Sequence, residues 1–374
     1  MKETTANYPS HPQGRGAGVG PDGKRHIRYL DGLRGVAILL VIMIHTSQIV
    51  AGLPSAVRNL AFYGVRGVQL FFIVSGLTLT ISHRNKPLAL ADFAARRFFR
   101  IAPMFYFGAA LYVALGLLTN LRFAPQNPRW GEIVATLTFV HGWSISANNK
   151  IVPGGWSIAA EAMFYLLFPI LLKLSVHPRR FTLTVLGTYL LAGLVYYGLR
   201  KFVPGDPVMV QTFALNFWLC HLPAFAGGCW IAARIGQDRL SPRAAGLIAT
   251  CSVVGMVIDS QMRGHSNLLV SIVLLSLFVW AVTKARPRFL EGKLLPLIGE
   301  ISFSLYILHF LIVGLLALIA GPVEQRIGWA ATFVLFYLVT LAVAGSLAYA
   351  SFRWIETPFI ALGRNLFRNE PRAG

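Results

Sequence analysis

The chain alternates long apolar runs with short polar connections. The apolar runs occupy about 33–51, 62–82, 101–119, 131–142, 156–176, 182–199, 213–234, 244–260, 266–284, 298–320 and 329–352. A helix needs about 20 apolar residues to cross the roughly 30 Å hydrocarbon core of a bilayer, and all but one of these runs come close to that length. Lipid offers no partner to an open backbone, so a chain that crosses it repeatedly in runs of this length does so as helices. The expected fold class is therefore all-α, a polytopic membrane protein. The exception is 131–142, which is short and is followed by a polar stretch, 143–155, of Trp, Ser, Asn, Gly and Pro.

Charge decides whether that short run crosses. The connection 83–100 carries Arg84, Lys86, Arg96, Arg97 and Arg100, and 173–180 carries Lys173, Arg179 and Arg180. Basic connections stay on the cytoplasmic side. Two crossings, 101–119 and 156–176, join these two connections; three cannot. The segment 131–155 is therefore expected to dip in from the outer face and return. With that choice the basic connections 234–243, 284–293 and 353–372 also fall inside. The expectation is ten spans in the inner membrane, both termini cytoplasmic, with a membrane domain over 29–360 and tails over 1–28 and 361–374. The first tail is rich in Gly, Pro and polar residues and reads as disordered. No stretch reads as a cleavable signal, so the first run is expected to remain a helix.

Composition agrees. Only 13% of residues are charged, against about 25% in soluble domains, and mean hydropathy is +0.61. The net charge of +20 raises nucleic acid as a partner. The Lys and Arg lie between apolar runs, however, with no basic domain or readable motif, so the partner of the basic face is the lipid bilayer and no nucleic acid is expected. Cys220, Cys229 and Cys251 sit in apolar runs without metal spacing and read as small core residues.

Against this background, ionisable residues inside spans are costly and mark function. The first run, Tyr29 to His45, has Arg34 at its mouth and His45 about 16 Å deeper at the helical rise. Glu161 lies one and a half turns into a helix that enters from outside, with Tyr165 on the same face at i+4. Ile301 to His309 carries Tyr306 and places His309 about 16 Å deep. The expectation is that His45, Glu161 and His309 converge at one height as a catalytic cluster, rather than serving as three separate packing residues. At the cytoplasmic edge, Arg96 and Arg100 share a face at i, i+4 and Arg97 joins Arg100 at i, i+3. Such a fork of guanidiniums suits phosphate, and Arg34 is placed to add to it. Ser75-Gly76 permits close helix approach. Arg66, near the outer end of its span, reads as a snorkelling residue, His221 and Asp259 as structural or substrate-side groups, and His141 as a lining of the outer vestibule.

At these residues the chain resembles the acyltransferase-3 family of integral membrane acyltransferases. The matching features are Leu33-Arg34-Gly35 with its spacing to His45, Phe71-Phe72 with Ser75-Gly76, Arg96-Arg97 with Arg100-Ile101 and Pro103, Trp156-Ser157 with Glu161 and Phe164-Tyr165, Ser302 with Ser304-Leu305-Tyr306 and His309, and Phe352 with Glu356-Thr357-Pro358-Phe359. They occur in the family's order over about 30–360. The resemblance implies transfer of an acyl group, usually acetyl, from cytoplasmic acyl-CoA (acetyl-CoA) to a hydroxyl of a carbohydrate or glycolipid, and an essential Arg34/His45 pair. Some members carry a fused esterase-like domain, for which this chain is expected to have no room. One departure is Ala162 after Glu161, where the family often has a second acidic residue; this puts more weight on Glu161.

On this reading Arg34, Arg96, Arg97 and Arg100 hold acyl-CoA, and His45 is general base or acyl carrier. Glu161 orients an imidazole, Tyr306 and His309 hold the thioester oxygen or complete a proton path, and Trp156, Ser75 and Tyr165 face the substrate. No metal is expected. The alternative is a proton-coupled transporter, which predicts paired hydropathy halves or broken helices in corresponding positions. Neither is visible in the chain.

Overall fold

The structure is a computed structural model that describes residues 28–85, 87–175, 177–236, 240–263 and 267–366. Lys86, the expected N-terminal tail up to residue 27 and the end of the C-terminal tail, 367–374, lie outside the described residues. The described residues are helical, with no strand. In order the helices are α1 (Arg28–Ser47), α2 (Ser55–Phe62), α3 (Gly67–Asn85), α4 (Leu90–Leu118), α5 (Trp130–Leu137), α6 (Gly155–Leu174), α7 (Pro178–Phe202) and α8 (Pro207–Asn216). They continue as α9 (Trp218–Arg234), α10 (Pro242–Arg263), α11 (Leu268–Ala285), α12 (Arg288–Glu291), α13 (Leu294–Glu300), α14 (Ser302–Ala317), α15 (Ala320–Ser351) and α16 (Thr357–Asn365). Nine stretches among the described residues are long and apolar enough to cross a membrane, or ten if the bent pair α13–α14 is one span. The chain is a multi-pass membrane protein.

The short run is α5, eight residues long, and a 3-10 turn over Val140–Trp143 follows it. The chain then returns through a loop to α6, whose N-terminus is set by Gly154 at φ +73°. Ala147, Asn148, Ile151 and Val152 of that loop are buried. Protein covers the non-helical backbone there, as it must at membrane depth.

Helix α1 is the core of the bundle, packed on α3, α13 and α14. Its contact with α13 is a backbone-to-backbone approach. A Cβ added at Gly299 would overlap the Asp31 carbonyl, and one at Gly35 would overlap the Leu295 carbonyl. Small residues let membrane helices meet this closely and gain dispersion contacts where no hydrophobic drive exists.

The structure departs from the expected continuous helix over 298–320. α13 and α14 meet at Ile301 at 82°. The bend exposes the first N–H groups of α14 in the interior, where each needs a partner. Glu356 supplies it from a π-helical turn, Phe352–Glu356, that bulges between α15 and α16. The Ser304 N–H donates to Glu356 Oε1 at 3.1 Å and the Ser304 hydroxyl donates to the same oxygen at 2.5 Å. Arg100 Nη1 donates to the other oxygen at 2.8 Å. The Glu356 side chain has no exposed surface. A second break falls at Gly328, at φ +77°, so the last span begins beyond it.

These contacts predict a sharp contrast between two glycines. Gly299→Ala should cost about 3 kcal/mol, the upper end for overpacking, since backbone rather than a flexible side chain opposes the new methyl. Gly187→Ala, where a Cβ meets nothing within 4 Å, should be neutral or slightly stabilising through helix propensity. Thermal melts of the two purified variants check this; equal melting temperatures would refute the packing account.

Candidate active site

A cavity of about 1240 Å³ runs into the bundle between α1, α3, α4, α6 and α14. Its mouth is basic, with Arg28, Arg286 and Arg364 in the wall. Along α3 its lining extends from Asn85 to Val68, about 25 Å at the helical rise. Midway stand Arg34, Arg97, Ser75, Glu161 and Tyr165. The far end is closed by Val68, Phe72, Ser157, Ile158 and Tyr306.

All four expected donor-binding arginines line this cavity, but they do not form one fork. Arg34 donates to Asp31 at 2.8 Å and to Thr78 Oγ1 at 3.0 Å. Arg96 reaches back to Asp92 through two bonds, at 2.5 and 3.1 Å. Arg100 is held by Glu356. Charges withdrawn from water need carboxylate partners, and spacing on α4 did not reveal that those partners come from α1, α4 itself and the end of the chain. Arg97 differs. Among the described residues it has no carboxylate within ion-pair distance, and its buried Nε has no hydrogen-bond partner. Its guanidinium lies over the rings of Phe93 and Tyr165, each centroid 5.9 Å away. A half-buried cation resting on aromatic faces, open to a cavity, is fitted to receive an anion.

Two of the three expected cluster members meet. The rings of His45 and His309 have centroids 5.3 Å apart, and Phe310 packs on both, at 4.5 and 4.0 Å. His309 is fully buried. Its Nδ1 lies 3.2 Å from the Leu305 carbonyl; a carbonyl only accepts, so Nδ1 carries the proton and Nε2 keeps a lone pair. That Nε2 has no partner. His45 Nδ1 faces Gln48 Oε1 at 3.3 Å.

Glu161 is elsewhere. It accepts from the Ser75 hydroxyl at 2.9 Å and from the Tyr165 hydroxyl at 2.6 Å, in the cavity wall. Helical rise sets a residue's height but not which neighbour its face meets, and this face of α6 meets α3. Height also changed for His309. With α13 turned aside, its depth is measured from Ser302, about 10 Å.

Tyr306 stands between the two groups. It lines the cavity, donates to the Gly154 carbonyl at 2.9 Å and accepts from the Ser157 hydroxyl at 2.9 Å. Its ring lies 5.9 Å from that of His309. Neither His45 nor His309 lines the cavity, so Tyr306 forms the partition. Trp156 also stays outside the cavity, packed on His221 at 4.8 Å. His221 uses both nitrogens, one facing Gln69 Nε2 at 3.2 Å and one the Leu215 carbonyl at 2.9 Å, which is a structural role. His141 faces the Gly155 carbonyl at 2.9 Å and holds the start of α6. Sequence reasoning named Ser157 only within the family motif and gave it no role, and it did not single out Thr78, whose only signal was a hydroxyl in an apolar helix. Nor did it give Glu356 a structural role, although a carboxylate just past the last span was in view.

The profile of the acyltransferase domain family matches residues 27–349. The chain belongs to the acyltransferase-3 family. Among curated relatives, O-acetyltransferase OatA of Staphylococcus aureus is 26% identical over 93% of this chain and 59% of its own length. Peptidoglycan O-acetyltransferase OatA of Listeria monocytogenes is 26% identical over 90% of this chain and 56% of its own. The exopolysaccharide production protein ExoZ of Rhizobium meliloti is 27% identical over 80% of this chain and 91% of its own. The chain thus spans under three-fifths of the two OatA proteins. No solved structure matches it.

The two kinds of arginine should respond oppositely to removal. Arg97→Met, which deletes a half-buried charge with no carboxylate in ion-pair contact, should leave the melting temperature unchanged or raise it. Arg100→Met, which strands the wholly buried Glu356, should cost about 3–5 kcal/mol. Melting temperatures in the same detergent measure both.

Proposed function

We propose that this family member is an O-acetyltransferase of the inner membrane, with both termini cytoplasmic. It takes acetyl from acetyl-CoA at the basic, cytoplasmic face and passes it to a hydroxyl of a carbohydrate or glycolipid from the opposite face. The observation that carries this reading is the long cavity from a basic mouth to Tyr306, with the paired imidazoles directly behind. The names of the relatives support acetyl as the group and a glycan as the acceptor.

Arg97 receives a phosphate or other anionic group of the donor, since its buried Nε is otherwise unpaired. Arg34 and Arg96 keep N–H groups beyond those bonded to Asp31 and Asp92, and these extend the same patch. The arm carrying the thioester follows α3 inward. Glu161, fixed by Ser75 and Tyr165, keeps a carboxylate beside Arg97 and shapes that path. The Ser157 and Tyr306 hydroxyls meet the thioester end.

His45 is the general base. Its neutral imidazole takes the proton from the acceptor hydroxyl. The oxygen attacks the thioester carbon, the carbon–sulfur bond breaks, and the CoA thiolate leaves and is protonated. In the variant in which His45 is the acyl carrier, its nitrogen attacks first and the acceptor oxygen then displaces it. Both require Tyr306 to move off Gly154 so that the two compartments join. The bent α13–α14 pair is the one feature shared with the transporter reading, which predicts proton flux without thioester consumption.

The test is purified protein with radiolabelled acetyl-CoA and an oligosaccharide acceptor. His45→Ala at normal abundance should lower kcat/KM for label transfer by at least about 100-fold; transfer within several-fold of wild type refutes the role. Arg97→Met should raise KM for acetyl-CoA more than it lowers kcat.

A further inference from the structure

The far end of the cavity has one wall that is both apolar and thin. Phe72 lines the cavity but is only 3% exposed. One face of its ring stacks on Phe225, centroids 4.4 Å apart. Its edge meets Trp156 at 6.2 Å and His221 at 5.5 Å. Trp156 and His221 do not line the cavity. The Phe72 ring alone therefore separates the cavity end from the aromatic layer behind it. The other closing residues are held differently. Tyr306 is fixed by two hydrogen bonds, and Val68 and Ile158 offer shorter side chains, each under 10% exposed. The layer behind Phe72 is largely aromatic, and both His221 nitrogens in it are used.

We infer that Phe72 sets the length of the acyl group this protein accepts. This rests on the proposed reading of the cavity as the donor site. If the phosphates sit at the basic mouth and the arm follows α3, the acyl group points at the end closed by Phe72. A methyl fits there against the ring. Each further methylene must displace a ring wedged against Phe225 and Trp156. With the ring removed, added methylenes enter an apolar space, and each one accommodated is worth about fourfold in kcat/KM.

The experiment uses the full chain in nanodiscs with acetyl-, propionyl- and butyryl-CoA, reading released thiol and acyl transfer to an oligosaccharide. Wild type should prefer acetyl. Phe72→Ala should raise the butyryl-to-acetyl ratio of kcat/KM about 15-fold, for two methylenes, and Phe72→Leu by a smaller factor in the same direction. Deleting a core ring can cost about 3–5 kcal/mol, so Phe72→Leu decides the matter if Phe72→Ala does not yield folded protein. A folded variant that keeps acetyl transfer with an unchanged ratio overturns the inference, as does a wild type that uses butyryl as well as acetyl. A wild type that consumes none of the three thioesters refutes the donor-site reading itself and the inference with it.

Discussion

A helix that begins inside a bilayer leaves N–H groups with nothing to bond, and in this chain the carboxylate of Glu356 takes up that role. It accepts from the backbone and hydroxyl of Ser304 with one oxygen and from Arg100 with the other. The negative carboxylate also sits where the helix dipole favours it. Because of this one partner, α13 can turn through 82° from α14. α13 is then free to lie along α1 in the glycine-lined contact of Gly35 and Gly299. α14, started afresh, brings Tyr306 to the end of the cavity and His309 against His45. Arg100 draws α4, with Arg96 and Arg97, into the same assembly.

The arrangement divides the interior into a polar compartment with a basic mouth and a small aromatic-lined compartment that holds two imidazoles. Their boundary is Tyr306, with its bonds to Gly154 and Ser157. Arg34, Arg96 and Arg100 are paired with carboxylates within the protein, which lowers their cost of burial. Arg97 is the exception. With no carboxylate in ion-pair contact, its charge is poorly compensated in the empty protein, and on the proposed reading an anion in the cavity offsets that cost. Stability and binding pull in opposite directions at that residue, as functional sites often require.

Much of this was legible in the sequence. Run lengths and the positive connections gave the spans and the short segment that dips and returns, because both depend on hydropathy and charge along the chain alone. His45 and His309 meet as expected, although the bend at Ile301 leaves His309 at a different depth from the one a continuous helix would set. The position of Glu161 did not follow from its height, because azimuth around a helix depends on which neighbours pack, and those are set by distant glycines. The partners of Arg34, Arg96 and Arg100 were hidden for a related reason: a carboxylate within a turn or 256 positions away can satisfy the same guanidinium. The break at Ile301 carries no proline of its own and became visible only through the carboxylate that makes it tolerable.

The central claim is that the donor enters from the basic face and the acyl group leaves toward the opposite one. Sealed vesicles with the protein inserted in a single orientation test it directly. Radiolabelled acetyl-CoA is supplied only on the side of the arginine-lined mouth, and an oligosaccharide acceptor only on the other. The account predicts label on the acceptor in the opposite compartment while acetyl-CoA itself stays outside. Label that reaches only acceptors placed in the same compartment as acetyl-CoA would contradict it.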